Sequence, residues 1–126
     1  MATVEERIAE LTRGMLKKKL FVVLSKAHCS PDQLKAVLPR HLEYMIALER
    51  QDVVFASGPL TADDGSMRGD GLTIIRATSL DEARKIASAD PFYTDGLRGF
   101  EVREWTVMEG SLGIKVNLSD QSLKFA

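Results

Sequence analysis

One histidine lies on the face of a predicted helix where an apolar residue would be expected. His41 belongs to a stripe with helical spacing between Ser30 and Arg50. The other members of the stripe are apolar: Leu34, Val37, Leu38, Leu42, Met45 and Leu48. A histidine in an apolar setting can act as a general acid or base when a carboxylate orients its ring. Asp90, at the end of a second predicted helix, is the best candidate for that carboxylate.

Both residues also have a purely structural interpretation, which stays open at this point. A core histidine can be neutral and hydrogen-bonded to a backbone carbonyl. An aspartate before a proline, as Asp90 stands before Pro91, commonly forms an Asx turn that terminates a helix.

Two short segments are candidates for binding a substrate. The first is Ser57-Gly58-Pro59, which follows a predicted strand. Its glycine would let a ligand approach the backbone closely, and the Ser57 hydroxyl can donate or accept a hydrogen bond. A strand that ends in a turn explains these three residues equally well. Phe92 makes the surroundings of Asp90 apolar.

Other kinds of site find no support in the sequence. The aspartates between residues 63 and 70 lack the spacing of a calcium loop, and His28, Cys29 and His41 match no zinc pattern. There is no P-loop, and Gly65 to Gly71 does not match a dinucleotide fingerprint. We therefore expect neither a metal nor a cofactor.

Size and charge favour a single domain, residues 1–126, that binds small molecules. The 17 basic and 18 acidic residues are well mixed, which argues against nucleic acid or an anionic membrane as partner. No apolar stretch approaches the ~20 residues that span a bilayer, and the N-terminus lacks a secretion signal. The single cysteine, Cys29, cannot form an internal disulfide, which favours a cytoplasmic location. It adjoins a helix N-terminus, where a thiolate is favoured, but a small loop residue is the simpler interpretation.

The hydrophobic patterns predict an α+β protein with the order β-α-β-β-α-β. The predicted core elements are a buried strand at 20–24, a helix at 30–50, strands at 53–56 and 72–77, a helix at 79–89 and a strand at 100–108. This order is that of the ferredoxin-like split βαβ sandwich, in which two helices cover one face of a four-stranded antiparallel sheet. An N-terminal helix at 4–12 and one extra strand at 112–118 flank the core.

Several local features refine this prediction. Ser30 with Gln33, and Ser79 with Glu82, have the spacing of capping boxes. Pro39 predicts a kink, or a short first turn before the main helix. Proline cannot continue a central strand, so Pro59 should end the second strand, with an exposed loop at 61–71 after it. The uncovered sheet face, rich in apolar residues, predicts a homodimer or higher homo-oligomer.

Five segments in order make the chain resemble the YCII-related (YciI-like) proteins. The segments cover about residues 20–108 and are LFVVL at 20–24, Arg40-His41-Leu42 with Leu48, Ser57-Gly58-Pro59-Leu60, Ser79-Leu80-Asp81-Glu82-Ala83, and Ala89-Asp90-Pro91-Phe92. The resemblance implies a dimeric α/β barrel in which two sheets face each other. It also implies an active site built on His41 and Asp90. Residues 1–16 and 111–126 fall outside the family core.

The family pattern is not matched at one position. Many relatives carry an arginine three residues before the histidine, where this chain has Leu38. Arg40 adjoins His41 instead and is our candidate substrate contact, although neighbouring residues on a helix point in different directions.

Three functions fit these residues. The first is a cofactor-independent enzyme, an isomerase or a lyase, in which the His41–Asp90 pair transfers a proton; the resemblance implies a dehydrochlorinase type of lyase and aromatic-degradation intermediates as substrates. The second is a non-catalytic protein that binds a small metabolite in the same pocket. The third is an accessory dimeric subunit, which predicts a pocket filled by side chains.

Overall fold

The computed structural model describes residues 1–125, which form two compact units. The larger unit comprises residues 19–106, and the smaller unit comprises residues 1–18 with the residues from 107 onward. In the described chain no helix is long and apolar enough to cross a membrane.

The larger unit contains the predicted β-α-β-β-α-β order with one short additional helix. The elements are β1 (Lys18–Ala27), α2 (Pro31–Arg50), β2 (Val54–Thr61), β3 (Met67–Ile75), α3 (Leu80–Ser88), α4 (Pro91–Thr94) and β4 (Arg98–Val107). The four strands form one sheet in the order β2-β3-β1-β4, and β3 is antiparallel to both β1 and β2. This strand order is that of the split βαβ sandwich, so the predicted fold class is confirmed.

Helix α2 begins as the sequence predicts and continues past its internal proline. The Ser30 hydroxyl accepts a hydrogen bond from the Gln33 N–H, and the Gln33 side chain accepts one from the Ser30 N–H. The helix is continuous over 20 residues through Pro39. The alternative of a separate first turn is therefore wrong.

The second strand does not end where the sequence predicts. Strand β2 runs through Gly58 and Pro59 to Thr61, and β3 already begins at Met67, so the expected loop at 61–71 is only a short turn. The reason is the place of β2 at the edge of the sheet, where the missing N–H of a proline can face solvent without costing a ladder hydrogen bond.

The segment after β3 differs from its prediction in two details. The Ser79 hydroxyl accepts from the Glu82 N–H, but the Glu82 carboxylate accepts a hydrogen bond from the Thr78 hydroxyl instead of completing the capping box. Helix α3 ends at Ser88, and Asp90 then caps the unpredicted helix α4.

The smaller unit contains α1 (Val4–Thr12), capped by a reciprocal box between Thr3 and Glu6. The single extra strand expected at 112–118 is instead one half of a hairpin, in which β5 (Ile114–Val116) pairs antiparallel with β6 (Leu123–Phe125). The partner strand has only three residues, too few for its alternation to stand out in the sequence.

The core of the larger unit is built on the helix-covered face of the sheet. Phe21, Val23, Ile75 and Ala83 form its buried centre. Around them pack Val53, Val54, Ala77, Leu80, Ile86, Ala87, Phe100 and Val102. Ala83 is completely buried, so α3 approaches the sheet closely at that point.

Replacing Ile75 by alanine should lower the free energy of unfolding by about 2–5 kcal/mol, because Ile75 is fully buried and the shorter side chain leaves a cavity in the core. Urea unfolding would measure the change. The matched control is Ile114→Ala on the exposed hairpin strand, which should change stability by less than about 0.5 kcal/mol. Similar losses at both positions would contradict the placement of the core.

Candidate active site

A cavity of about 790 Å³ lies between helix α2 and the strands β2 and β3. The α2 face that the sequence assigns to the core lines much of this cavity. Leu38 and Leu42 are 39% and 47% exposed, so the expectation that they are buried is wrong. Only Leu34 and Leu48, near the two ends of α2, are buried. The two ends of the apolar stripe are therefore buried in the protein, whereas the middle of the stripe lines the cavity.

His41, which lines this cavity, is in direct contact with Asp90. The His41 Nδ1 lies 2.8 Å from the Asp90 Oδ1 and 2.9 Å from the Oδ2. Both side chains are mostly withdrawn from solvent, with 13% and 17% of their surface exposed. Their roles in a reaction stay a prediction, but the contact that those roles require is present.

Asp90 is held by the start of helix α4. Its Oδ1 also accepts a hydrogen bond from the Phe92 N–H at 2.9 Å, and Pro91 occupies the first helical position, where its fixed φ is favourable. The Asx turn that the sequence suggests is therefore present, but it begins α4. The structural and the proton-transfer interpretations of Asp90 describe the same geometry.

The contact with Asp90 determines which nitrogen of His41 is available to accept a proton. An ionised carboxylate can only accept hydrogen bonds, so Nδ1 must carry a hydrogen. In the neutral ring Nε2 then has the lone pair and can accept a proton. The pair has the arrangement of an oriented general base.

Phe92 fixes the plane of the histidine ring. It is 2% exposed, and its ring stacks on the His41 ring with centroids 4.3 Å apart and an interplanar angle of 21°. Stacked ring pairs contribute about 0.5–1.5 kcal/mol beyond their buried area. The imidazole is thus restrained by one hydrogen-bonded partner and one stacked partner.

Tyr44 links helices α2 and α3 beside this pair. Its hydroxyl donates to the Ile86 carbonyl oxygen at 2.6 Å. Burial raises the pKa of Tyr44, and the negative charge of Asp90 raises it further. The phenol is therefore a neutral donor that holds α2 against α3.

The other predicted site residues separate into two groups. Ser57, Gly58 and Pro59 line the cavity, and the Ser57 Oγ lies 2.7 Å from the Thr73 Oγ1 on the neighbouring strand. Arg40 does not line the cavity: its guanidinium pairs with Asp95, and its side chain is 56% exposed. The direction of successive residues on a helix explains this, because Arg40 points away from the face that carries His41.

The sequence analysis missed Arg98, which also lines the cavity. Its Cζ is 4.5 Å from the centroid of the Phe92 ring, and its Nε donates to the Gly69 carbonyl oxygen at 2.7 Å. Burial lowers the pKa of Arg98, and the charges of Asp90 and Asp70 act in the opposite direction. Arg98 is the first residue of β4, a position with no periodic signal, so only the fold brings it to this site.

Comparison with known proteins supports the fold and the resemblance seen in the sequence. The YCII-related domain profile matches residues 19–106. Among solved structures, the chain is similar to 5-chloro-2-hydroxyhydroquinone dehydrochlorinase (TftG) from Burkholderia phenoliruptrix AC1100, in complex with 2,5-dihydroxybenzoquinone. The TM-score is 0.53 and the identity 26%, over 69% of this chain and 93% of that chain. No curated protein sequence matches the chain.

The neutral His41 ring should carry its hydrogen on Nδ1, because that nitrogen faces the Asp90 carboxylate. Nitrogen-15 NMR of the imidazole would identify the tautomer. Asp90→Asn should remove the preference, whereas Asp95→Asn, which changes the partner of Arg40, should leave the His41 signals as they are. A ring protonated on Nε2 in the unmodified protein would contradict the assignment.

Proposed function

Since the chain belongs to the YCII-related domain family, we propose that it is a small-molecule enzyme in which His41 and Asp90 transfer a proton without a cofactor. The observation that carries the proposal is the 2.8 Å contact that commits Nδ1 to Asp90 and leaves Nε2 as the proton acceptor beside an apolar cavity. Isomerisation and elimination are the reactions that this equipment suits.

The proposed elimination needs only the groups at this site. Nε2 of His41 removes a proton from a carbon of the substrate or, on a hydroxylated ring whose keto tautomer carries chlorine on a saturated carbon, from a ring hydroxyl. The electron pair of the broken bond forms a new double bond, C=C or C=O, and a leaving group such as chloride departs with its own electron pair from the neighbouring carbon or from the far end of the conjugated system. Asp90 stabilises the imidazolium until the proton passes to water. In an isomerisation, the imidazolium would return the proton to a different carbon.

The similar enzyme TftG supports an elimination, because its name describes a dehydrochlorination. The cavity supports binding of a ligand, since an accessory subunit without a ligand would have no need of an open space of this size. A binding protein without catalysis would use the same cavity. The two functions are distinguished by replacing His41, because only an enzyme has a turnover that this change would abolish.

His41→Gln and Asp90→Asn should each lower kcat about 10²- to 10⁴-fold, the range lost when a general acid–base group is removed. The assay is chloride release from 5-chloro-2-hydroxyhydroquinone, followed with a chloride electrode. Affinity for 2,5-dihydroxybenzoquinone should change by no more than about threefold, because the lost step lies in the chemistry.

The matched control is His28→Gln, which replaces the second histidine of the chain and should keep the full rate. Chloride release by His41→Gln at the unmodified rate would refute the proposal. Ligand binding with no turnover by the unmodified protein would favour the binding protein.

We further propose that the protein is a homodimer in which two sheets face each other. Three exposed apolar residues on the strands support this: Leu24, Phe55 and Trp105. Leu24 alternates with the core residues Phe21 and Val23, so it lies on the sheet face opposite the helices. A cytoplasmic location is also proposed, and the unpaired Cys29 is consistent with it.

Light scattering should give twice the mass of the chain. Trp105→Glu should shift the protein toward the monomer, because a carboxylate on an apolar interface loses its hydration. Circular dichroism would verify that the variant is folded. A monomeric mass for the unmodified protein at micromolar concentration would exclude the dimer.

A further inference from the structure

Arg98 is a partly buried cation without a carboxylate partner. Among residues 1–125, no carboxylate oxygen lies within 4.0 Å of its guanidinium nitrogens. The acid with the strongest electrostatic effect on Arg98 is Asp90, and its carboxylate is hydrogen-bonded to His41 and to the Phe92 N–H. An arginine cannot escape the cost of burial by losing its proton, so this site retains a positive charge.

The two terminal amino groups of the Arg98 guanidinium make no hydrogen bond within residues 1–125. In that part of the chain only Nε has a hydrogen-bond partner, the Gly69 carbonyl oxygen. In the described chain no fully buried side-chain nitrogen lacks a partner, so Nη1 and Nη2 each keep some solvent-accessible surface. Arg98 lines the large cavity together with His41 and Phe92. The two amino groups are therefore available to a molecule bound there.

A Gly-Asp-Gly segment in β3 holds the arginine in this position. Gly69 has a φ of 97°, and its carbonyl accepts from Nε. The Asp70 carboxylate accepts a hydrogen bond from the Ala27 N–H at 3.0 Å, which ties the segment to β1. A Cβ on Gly71 would lie 3.3 Å from Nη1 and 3.4 Å from Nη2, so this glycine leaves room for the guanidinium.

Among the described residues that line the cavity, Arg98 is the cation that lies over the Phe92 ring, on which the His41 ring stacks. Two other ionised side chains line the cavity, Lys35 and Glu49, both on α2. By helical rise they lie about 9 and 12 Å from His41 along the helix axis. Arg98, held over the Phe92 ring, is therefore the cation that the fold associates with the His41 site.

From this geometry we infer that Arg98 is an anion-binding residue and that the site takes a planar ring compound carrying a carboxylate-type anion. Two guanidinium N–H groups match the two oxygens of such an anion, and the ring would occupy the apolar part of the cavity. The inference rests on the proposed function, because it names the substrate class for the His41 site. Arg98 would hold the anionic end, and His41 would face the carbon or hydroxyl that loses its proton.

Benzoate and benzamide test the inference, since they have the same shape and differ in charge. We expect the unmodified protein to bind benzoate at least about tenfold more tightly, measured by calorimetry or NMR titration. Arg98→Gln should remove this preference and leave benzamide affinity within about threefold. Arg98→Lys should retain part of it, because the ammonium keeps the charge and loses the fork.

Two further variants complete the test. Arg103→Gln, on an exposed part of the same strand, should leave the benzoate preference unchanged. Gly71→Ala, which presses a methyl group on Nη1 and Nη2, should weaken benzoate binding, and it serves as the second variant if Arg98→Gln does not fold. Equal affinity of the unmodified protein for both compounds, or a preference that persists in folded Arg98→Gln, would overturn the inference.

The outcomes separate this inference from the proposed function. His41→Gln should keep the benzoate preference, because Arg98 is intact. A benzoate preference without turnover of any candidate substrate would reject the enzyme and support the anion site. Turnover that depends on His41, with a KM unchanged by Arg98→Gln, would reject the anion site and support the enzyme.

Discussion

The site depends on one carboxylate that is held from two sides. Asp90 accepts a hydrogen bond from the first turn of α4 and from the ring of His41. The helix start fixes the carboxylate, and the carboxylate fixes the ring, so the orientation of a side chain on α2 is determined by the backbone of α4. Pro91 contributes by restricting φ at the point where α4 begins. Few degrees of freedom remain in the arrangement, which is what the proposed proton transfer would require.

Residues with a local signal were predicted well, and residues that depend on tertiary position were not. The capped start of α2, the order of the elements and the His41–Asp90 contact follow from periodicity, capping patterns and the topology that they imply. Arg98 reaches the site only because β4 pairs beside β1, and nothing near it in the sequence marks that position. The same limit explains the error at β2, since a proline ends a central strand but is tolerated in an edge strand.

The cavity also explains why the α2 stripe was assigned to the core. Periodicity identifies an apolar face, but it does not show whether protein or a ligand covers that face. Leu38 and Leu42 have the spacing of core residues and remain exposed toward the cavity. Burial of apolar surface contributes a hydrophobic free energy of about 25 cal/mol for each Å², and these exposed side chains do not contribute it to folding. A bound apolar ring would bury the same surface and gain that free energy. An apolar ligand in the cavity would therefore cover the side chains that the fold leaves exposed.

The proline in the edge strand has a consequence for the behaviour of the chain in crowded solution. An exposed edge offers unpaired backbone groups on which a strand from another molecule can add, and repeated addition leads to fibrils. Pro59 has no N–H to offer, and the register shifts on either side of it interrupt the regular ladder of β2. A residue that lines the cavity therefore also protects the open edge of the sheet against polymerisation.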